Sequence, residues 1–143
     1  MSVFKKKLLP YCGVCDKDVD YVIKKETHET TFKGITFSYV EICAYCRNCG
    51  ERVAPIEIEK ENYLLFSDAY RKAANLLTSE EIIKIRRNLK LSQTGFAKLI
   101  GCGEKNIARY ENGAIQTESV DKLMRLCDPI YLEQFKQLIL SKR

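Results

Sequence analysis

The chain has 143 residues, 45% of them hydrophobic and 30% charged, which is the composition of a folded soluble protein with one ordinary domain or two small ones. Its seven cysteines, an odd number with no secretory leader before them, argue against a disulfide framework. No apolar run approaches the roughly 20 residues that cross a bilayer, so we expect a cytoplasmic protein with no membrane partner.

The formal net charge is +5, and the excess lies in the second half of the chain. Residues 78–143 carry 12 basic and 8 acidic side chains, whereas residues 1–60 carry 10 and 9. A basic C-terminal half is compatible with a nucleic-acid surface, although many proteins without such a surface share the asymmetry.

The first 60 residues are rich in cysteine and in strand-forming side chains. The stretches 19–32 and 35–46 are rich in Val, Ile, Thr, Tyr and Phe. Lys33 and Gly34 lie between them, which predicts two or three antiparallel strands with a turn at this point.

The sequence changes character between the strand region and the helical half. Period-two alternation in IEIEKE, residues 56–61, predicts a short exposed strand or connector. From Asn62 to Leu77, apolar residues recur at three- and four-residue steps, which predicts a helix. We interpret residues 61–77 as a linking helix, a spacer packed on a neighbouring domain rather than a partner contact.

The rest of the chain has the capping residues and turns of an all-helical domain. Thr78, Ser92 and Thr117 each precede a helical pattern and are predicted N-caps, and Glu81 matches a capping box with Thr78. Gly101 begins a predicted tight turn, because glycine reaches positive φ without a clash. The side chains predicted to face inward on the first three helices are Ile82, Ile85, Leu89, Phe96, Leu99, Ile100, Ile107 and Tyr110.

Two Cys-x-x-Cys motifs are typical of the two halves of a zinc ribbon. The predicted ligands are Cys12, Cys15, Cys46 and Cys49. Cys49 is preferred over Cys43 as the partner of Cys46, because Gly50 after Cys49 suits a chain that must turn back sharply. Cys43 is predicted to be a small buried side chain, and a role for it as an alternative ligand is left open.

We expect one structural zinc ion per chain. Four thiolates close the coordination shell, whereas a catalytic ion keeps an open position. The single histidine, His28, lies far in sequence from both cysteine pairs and is predicted to be a surface residue. Because no Ser/His/Asp or paired-carboxylate set is evident, we expect no enzymatic activity. Reduced cysteines without a metal, or a redox pair, are the less favoured alternatives.

The helical half has the helix lengths and tight turns of a helix-turn-helix unit, in which one helix presents its first residues to base edges. In EKNIARYENG, residues 104–113, the outward side chains Lys105, Asn106 and Arg109 are predicted to contact DNA. Arg and Lys can reach guanine O6 and N7, and Asn can pair with adenine N6 and N7. Gln93, in the first turn of the preceding helix, is predicted to bond a phosphate.

Tyr110 and Glu111 are interpreted as structural residues that close the helix and buttress the turn. The whole sequence then predicts an α+β protein with three parts. These are a zinc-ribbon domain with a small antiparallel sheet at residues 1–60, the linking helix at 61–77 and an all-α helix-turn-helix domain at 78–143.

The sequence resembles the MqsA/YgiT family of antitoxins, which combine an N-terminal zinc ribbon, a linker and a C-terminal Xre-type helix-turn-helix. The resemblance covers most of the chain. Its marks are Cys12-x-x-Cys15, Tyr45-Cys46-x-x-Cys49-Gly50-Glu51, Leu91-Ser92-Gln93 and Arg109-Tyr110-Glu111-x-Gly113.

The resemblance implies an antitoxin whose ribbon domain neutralises a cognate toxin, often a ribonuclease, encoded by a neighbouring gene. It also implies that the helical domain forms a homodimer and represses its own operon by binding double-stranded operator DNA. In the family's recognition helix, the position of Arg109 and one a turn earlier touch bases. The earlier position often carries Asn, whereas this sequence has Lys105 there with Asn106 next to it.

A second hypothesis is a stand-alone Xre-family transcription regulator. Its zinc ribbon would be structural, or would sense metal or thiol oxidation. A small open reading frame overlapping this gene favours the antitoxin, and an isolated gene favours the regulator.

Overall fold

A computed structural model describes residues 8–141, the side chain of Phe135 excepted. The chain divides into two compact units, with the division between Phe66 and Ser67. This position falls inside a helix, α1, at Ile56–Ala73. Within the described residues, every strand lies in the first unit and the five helices after α1 lie in the second. The predicted α+β fold is therefore confirmed.

The first unit contains two antiparallel sheets. Its strands are β1 (Tyr11–Cys12), β2 (Lys17–Asp18), β3 (Tyr21–Phe32), β4 (Ile35–Cys46) and β5 (Arg52–Val53). β1 pairs with β2, and the second sheet has the order β3-β4-β5. The two long strands pair along their whole length, with Tyr21 opposite Cys46 at one end and Phe32 opposite Ile35 at the other.

Lys33 and Gly34 form the turn between the long strands, as predicted. Their φ angles are 49° and 79°, both in the left-handed region. A two-residue turn of this kind matches the twist of the strands and fixes their register. Residues opposite each other on β3 and β4 consequently share one face of the hairpin.

The first part of α1 packs on this hairpin. The side-chain amide of Asn62 accepts a hydrogen bond from the backbone N–H of Ile42 at 2.7 Å and donates one to its carbonyl at 2.8 Å. The Phe66 ring makes edge contacts with Phe37 and Tyr39, at centroid distances of 5.4 and 5.2 Å. Asn62 thereby satisfies both backbone groups of a residue in the middle of β4.

Residues 56–61 form the first turns of α1, so the strand or connector predicted there is wrong. Ile56 is 60% exposed, so the alternation does not reflect a buried face of a sheet. Glu57 and Glu59 lie in the first turn, where the positive end of the helix dipole favours acidic side chains.

The second unit is all-helical. Its helices are α2 (Ser79–Asn88), α3 (Gln93–Ile100), α4 (Asn106–Glu111), α5 (Glu118–Leu126) and α6 (Pro129–Ser141). The three predicted N-caps are confirmed, because the hydroxyls of Thr78, Ser92 and Thr117 each accept a backbone N–H from three residues further on. None of the helices within residues 8–141 is long and apolar enough to cross a membrane.

One hydrophobic core joins α2, α3, α4 and α5. Its buried members are Leu77, Ile82, Ile85, Phe96, Ala97, Ile107 and Met124. Leu99 was predicted to face inward but is 57% exposed. Phe96 and Ala97 are fully buried and set the inward face of α3, and Leu99 lies about 200° around the helix from Ala97.

Candidate metal centre and candidate nucleic-acid interface

The two Cys-x-x-Cys turns bring four thiols together. The Sγ atoms of Cys12, Cys15, Cys46 and Cys49 all lie within 4.8 Å of one another. Cys12 Sγ is 3.5 Å from Cys49 Sγ, and Cys15 Sγ is 3.8 Å from Cys46 Sγ. Zinc–sulfur bonds of about 2.3 Å place two sulfurs of one tetrahedron about 3.8 Å apart. The four thiols could therefore hold one four-coordinate metal ion.

Both cysteine turns have the same backbone geometry. The carbonyl of Cys12 accepts the N–H of Asp16 at 2.8 Å, and the carbonyl of Cys46 accepts the N–H of Gly50 at 2.9 Å. Asp16 and Gly50 have φ angles of 53° and 77°. Gly50 thus makes the sharp return inferred from the sequence. Asp16 makes it in the first turn, since Asp enters the left-handed region more readily than most residues.

Backbone amides and neighbouring thiols set the acidity of the cluster. Burial raises the pKa of Cys46, but hydrogen bonds from the amides of Cys49 and Asn48 lower this pKa to about 7. A hydrogen bond with Cys49, together with burial and the other thiols, raises the pKa of Cys15 to about 12. Since metals bind thiolates, the amides around Cys46 favour the binding form of that sulfur.

Cys43 lies outside this cluster. It is fully buried on β4, and its Sγ donates to Oε2 of Glu26 at 3.3 Å. His28, on β3, has a partly exposed ring, but its Nε2 faces Oε2 of Glu41 at 3.1 Å and Oε2 of Glu26 at 3.7 Å. The predicted surface histidine therefore has a polar cluster beneath it, which the sequence did not reveal.

Three of the four predicted DNA-contacting residues lie together at the start of α4. Lys105 is the N-cap residue and is exposed, and Asn106 is the first helical residue. Arg109 is exposed one turn later, and its Nη1 donates to Oδ1 of Asn106 at 3.5 Å. Ile107, on the opposite side of the helix, is fully buried in the core. The outer side of α4 thus presents two cations and an amide.

Gln93, the fourth predicted residue, is held differently. Its Nε2 donates to Oε2 of Glu111, which is buried at the end of α4. Arg86 of α2 donates from Nε to the other oxygen of Glu111 at 2.6 Å. The Gln93 amide therefore braces α3 against α4, a role that sequence analysis missed. The structural role predicted for Glu111 agrees with these contacts.

Arg71, which the sequence did not single out, is fully buried in the second unit. Its Nε donates to Oε1 of Gln116 at 3.0 Å, and its Nη1 donates to Asp68 at 3.0 Å. Its Nη2 donates to the carbonyls of Tyr110 and Ala114 at 2.7 and 2.6 Å. Arg71 thereby fixes the segment after α4. Asp68 is three residues away, but Tyr110, Ala114 and Gln116 lie too far along the sequence for a local pattern to indicate them.

The folded chain combines a β-rich unit carrying a four-thiol cluster with an all-α unit that presents a basic helix. The chain belongs to the MqsA family of antitoxins. The family model described as "Antitoxin component of bacterial toxin-antitoxin system, MqsA" matches residues 10–135. The resemblance inferred from the cysteine and helix motifs is thus confirmed, and the family consists of antitoxins rather than enzymes.

A curated relative supports the same assignment. The chain is 31% identical to the "Antitoxin MqsA" of Escherichia coli over 128 residues, which cover 82% of this chain and 91% of the relative. The match therefore extends over both units rather than over one of them.

Proposed function

We propose that this antitoxin neutralises a cognate toxin through its first unit and represses its own operon through its second. The repressor half rests on the group at the start of α4, in which Lys105 and Arg109 are exposed and Asn106 is half-buried between them. The family assignment supports the toxin half. Double-stranded operator DNA and a toxin encoded by a neighbouring gene are the two partners.

In this proposal α3 and α4 form the helix-turn-helix, and α4 is the recognition helix. The guanidinium of Arg109 makes bidentate contact with guanine O6 and N7, and the Asn106 amide reads adenine. Lys105, the exposed N-cap residue of α4, contacts a base or a phosphate. The bonds from Arg86 and Gln93 to Glu111 support this role, because they hold α2, α3 and α4 in one arrangement before DNA arrives.

The proposed metal is one structural Zn²⁺, held by Cys12, Cys15, Cys46 and Cys49. The sulfur separations and the two matching turns support this choice. Zinc in such a site joins two distant turns and thereby stabilises a domain with a small hydrophobic core. Four sulfur ligands leave no open position for substrate or water, so the ion has no catalytic role.

The DNA-binding form is proposed to be a homodimer through the second unit. On α6, four apolar side chains are about half exposed or more. They are Ile130 at 66%, Leu138 at 54%, Ile139 at 49% and Leu140 at 61%. The proposal is supported by the general rule that helix-turn-helix repressors bind DNA as two-fold dimers.

The test of the whole proposal uses the neighbouring gene. Expression of its product alone should arrest growth, and co-expression of this chain should restore it and yield a co-purifying complex. Substitution of Arg109 by Ala should weaken repression of an operon reporter and leave the rescue intact, which separates the two halves of the proposal in the full chain. A neighbour that is harmless, or whose toxicity this chain does not relieve, would contradict the antitoxin function.

A further inference from the structure

A second cluster of metal-ligating side chains lies on one face of the long hairpin. Glu26 and His28 are two residues apart on β3, so their side chains point to the same face. Cys43 on β4 lies opposite Lys24 and Glu41 lies opposite Glu26, which places both on that face too. The cluster thus combines an imidazole, a thiol and two carboxylates from two strands.

The donor atoms of this cluster have the spacing of a coordination shell. One donor atom each from Glu26, His28 and Cys43 lies within 4.8 Å of the others. Oε2 of Glu26 is 3.3 Å from Sγ of Cys43 and 3.7 Å from Nε2 of His28. Bonds of about 2.0–2.3 Å from nitrogen, oxygen and sulfur to zinc give donor separations of about 3.3–3.8 Å in a tetrahedron.

Both carboxylates are oriented by a donor on their outer oxygen. The Tyr45 hydroxyl donates to Oε1 of Glu26 at 2.7 Å, and Nη2 of Arg52 donates to Oε1 of Glu41 at 2.8 Å. Oε2 of each carboxylate is left facing His28. Outer donors that fix the orientation of ligating groups are a regular feature of metal sites.

The imidazole nitrogen in the middle of the cluster has no hydrogen bond. Nε2 of His28 is shielded from solvent and has no hydrogen-bond partner among the residues that the structure describes. Oε2 of Glu41 is only 3.1 Å away, but the contact does not have the geometry of an N–H donating to oxygen. A ring nitrogen that faces carboxylates and a thiol in this way is in the position of a metal ligand.

We propose that Glu26, His28 and Cys43 bind a second metal ion, a divalent transition metal of the zinc type. Glu41 lies beside the ion and adds negative charge. A set of one imidazole, one sulfur and carboxylate oxygen suits Zn²⁺ or Co²⁺ better than the hard ions Mg²⁺ and Ca²⁺. On binding, the proton of the Cys43 thiol passes to solvent, and the thiolate forms the bond to the metal.

The site is separate from the four-thiol cluster in its ligands and in its effect. It links Glu26 and His28 on β3 to Cys43 on β4, whereas the four cysteines join two turns. Its occupancy therefore adjusts the rigidity of the hairpin without being required for the ribbon to fold.

The test uses the full chain, reduced with a non-thiol reductant and equilibrated by dialysis against buffered free Zn²⁺. Elemental analysis should find two zinc ions per chain in the parent protein. His28→Ala and Cys43→Ala should each retain one, with the second bound at least about tenfold more weakly, since even outer-sphere changes cost 10–100-fold in affinity. Glu29→Ala, which removes a neighbouring carboxylate on the opposite face, is the matched control and should retain two.

Titration with Co²⁺ provides a second readout. The second equivalent should add a weaker thiolate-to-cobalt absorption than the first, since one sulfur contributes instead of four, and Cys43→Ala should remove it. A parent chain that binds a single ion, or a His28→Ala chain that still binds two, would overturn the proposal. If the parent chain bound one ion with the absorption of a single thiolate, and Cys43→Ala removed it, the four-cysteine site would be contradicted and this site supported.

Discussion

Arg86 and Glu111 form an ion pair between α2 and α4, with 2.6 Å between Nε and Oε1. The side chains are 15% and 5% exposed, so water screens the pair little. Gln93 adds a bond from α3 to the same carboxylate. One buried carboxylate therefore joins the three helices on which the proposed DNA-binding surface depends.

The substitution Glu111→Gln should destabilise the second unit by about 3 kcal/mol, because it leaves the largely buried guanidinium of Arg86 without a countercharge. Denaturant unfolding of the full chain, followed by helical circular dichroism, measures this loss. Glu104→Gln is the matched control, since Glu104 is exposed and its loss should change the free energy of unfolding by less than about 0.5 kcal/mol. If Glu111→Gln lowered the free energy of unfolding no more than Glu104→Gln does, the ion pair would contribute nothing to stability.

Arg109→Ala should weaken binding to the operator by about 1–3 kcal/mol, the usual value of a bidentate base contact. Its exposed guanidinium contributes little to the fold, so the melting temperature should not change. The measurement is a titration of labelled operator DNA at two salt concentrations. Lys122→Ala, an exposed cation on α5, is the control for lost charge. Unchanged operator affinity in Arg109→Ala would remove this residue from the proposed contact set.

The local features of this protein were predictable from sequence, and the long-range ones were not. The Lys33-Gly34 turn and the three N-caps depend on residues within three positions of one another. Arg71, in contrast, donates to Gln116, Tyr110 and Ala114, which are 39 to 45 residues away, and its pairing with the nearby Asp68 does not indicate that it is buried. The polar cluster around His28 was missed for the same reason, because it requires the register of two strands.

The helix at residues 56–61 illustrates a second limit. An Ile/Glu alternation predicts a strand only if one face is buried, and here Ile56 is exposed. Ile58 is half-buried, so this alternation does not mark a buried face of a sheet, and it fits the first turns of a helix equally well.

Cys49→Ser should release the zinc held by the four cysteines and unfold the first unit, because three thiols and a hydroxyl hold zinc far less tightly than four thiols. The ion proposed for the hairpin lies in the same unit and should be lost with it. The second unit should remain folded, since its core contains none of these cysteines. Resonances of the full chain in an amide correlation spectrum distinguish the two units. Cys102→Ser, in the second unit, is the control and should retain the metal. A first unit that stays folded in Cys49→Ser would contradict a structural role for the ion.

Gly50→Ala should destabilise the second cysteine turn by about 1–2 kcal/mol, because a Cβ in the left-handed region clashes with the backbone. The φ angle of Gly50 is 77°, and open space around the position means that no side-chain clash contributes. Competition with a zinc chelator should show correspondingly faster loss of metal. Gly13→Ala is the control in the first turn, where space is also open but φ is not positive. Similar zinc retention in both variants would refute the conformational argument.

Arg71→Met should destabilise the second unit by about 3–5 kcal/mol, the cost of breaking a buried charged network. The substitution keeps much of the side-chain volume but removes the guanidinium donor from the carbonyls of Tyr110 and Ala114. Thermal unfolding of the full chain should show the helical transition at lower temperature. Lys72→Met, the exposed neighbour, is the matched control and should leave that transition in place. The lost bonds fix the end of α4, so Arg71→Met should also lower operator affinity at temperatures where the protein is still folded. Unchanged affinity would show that α4 is positioned without this arginine.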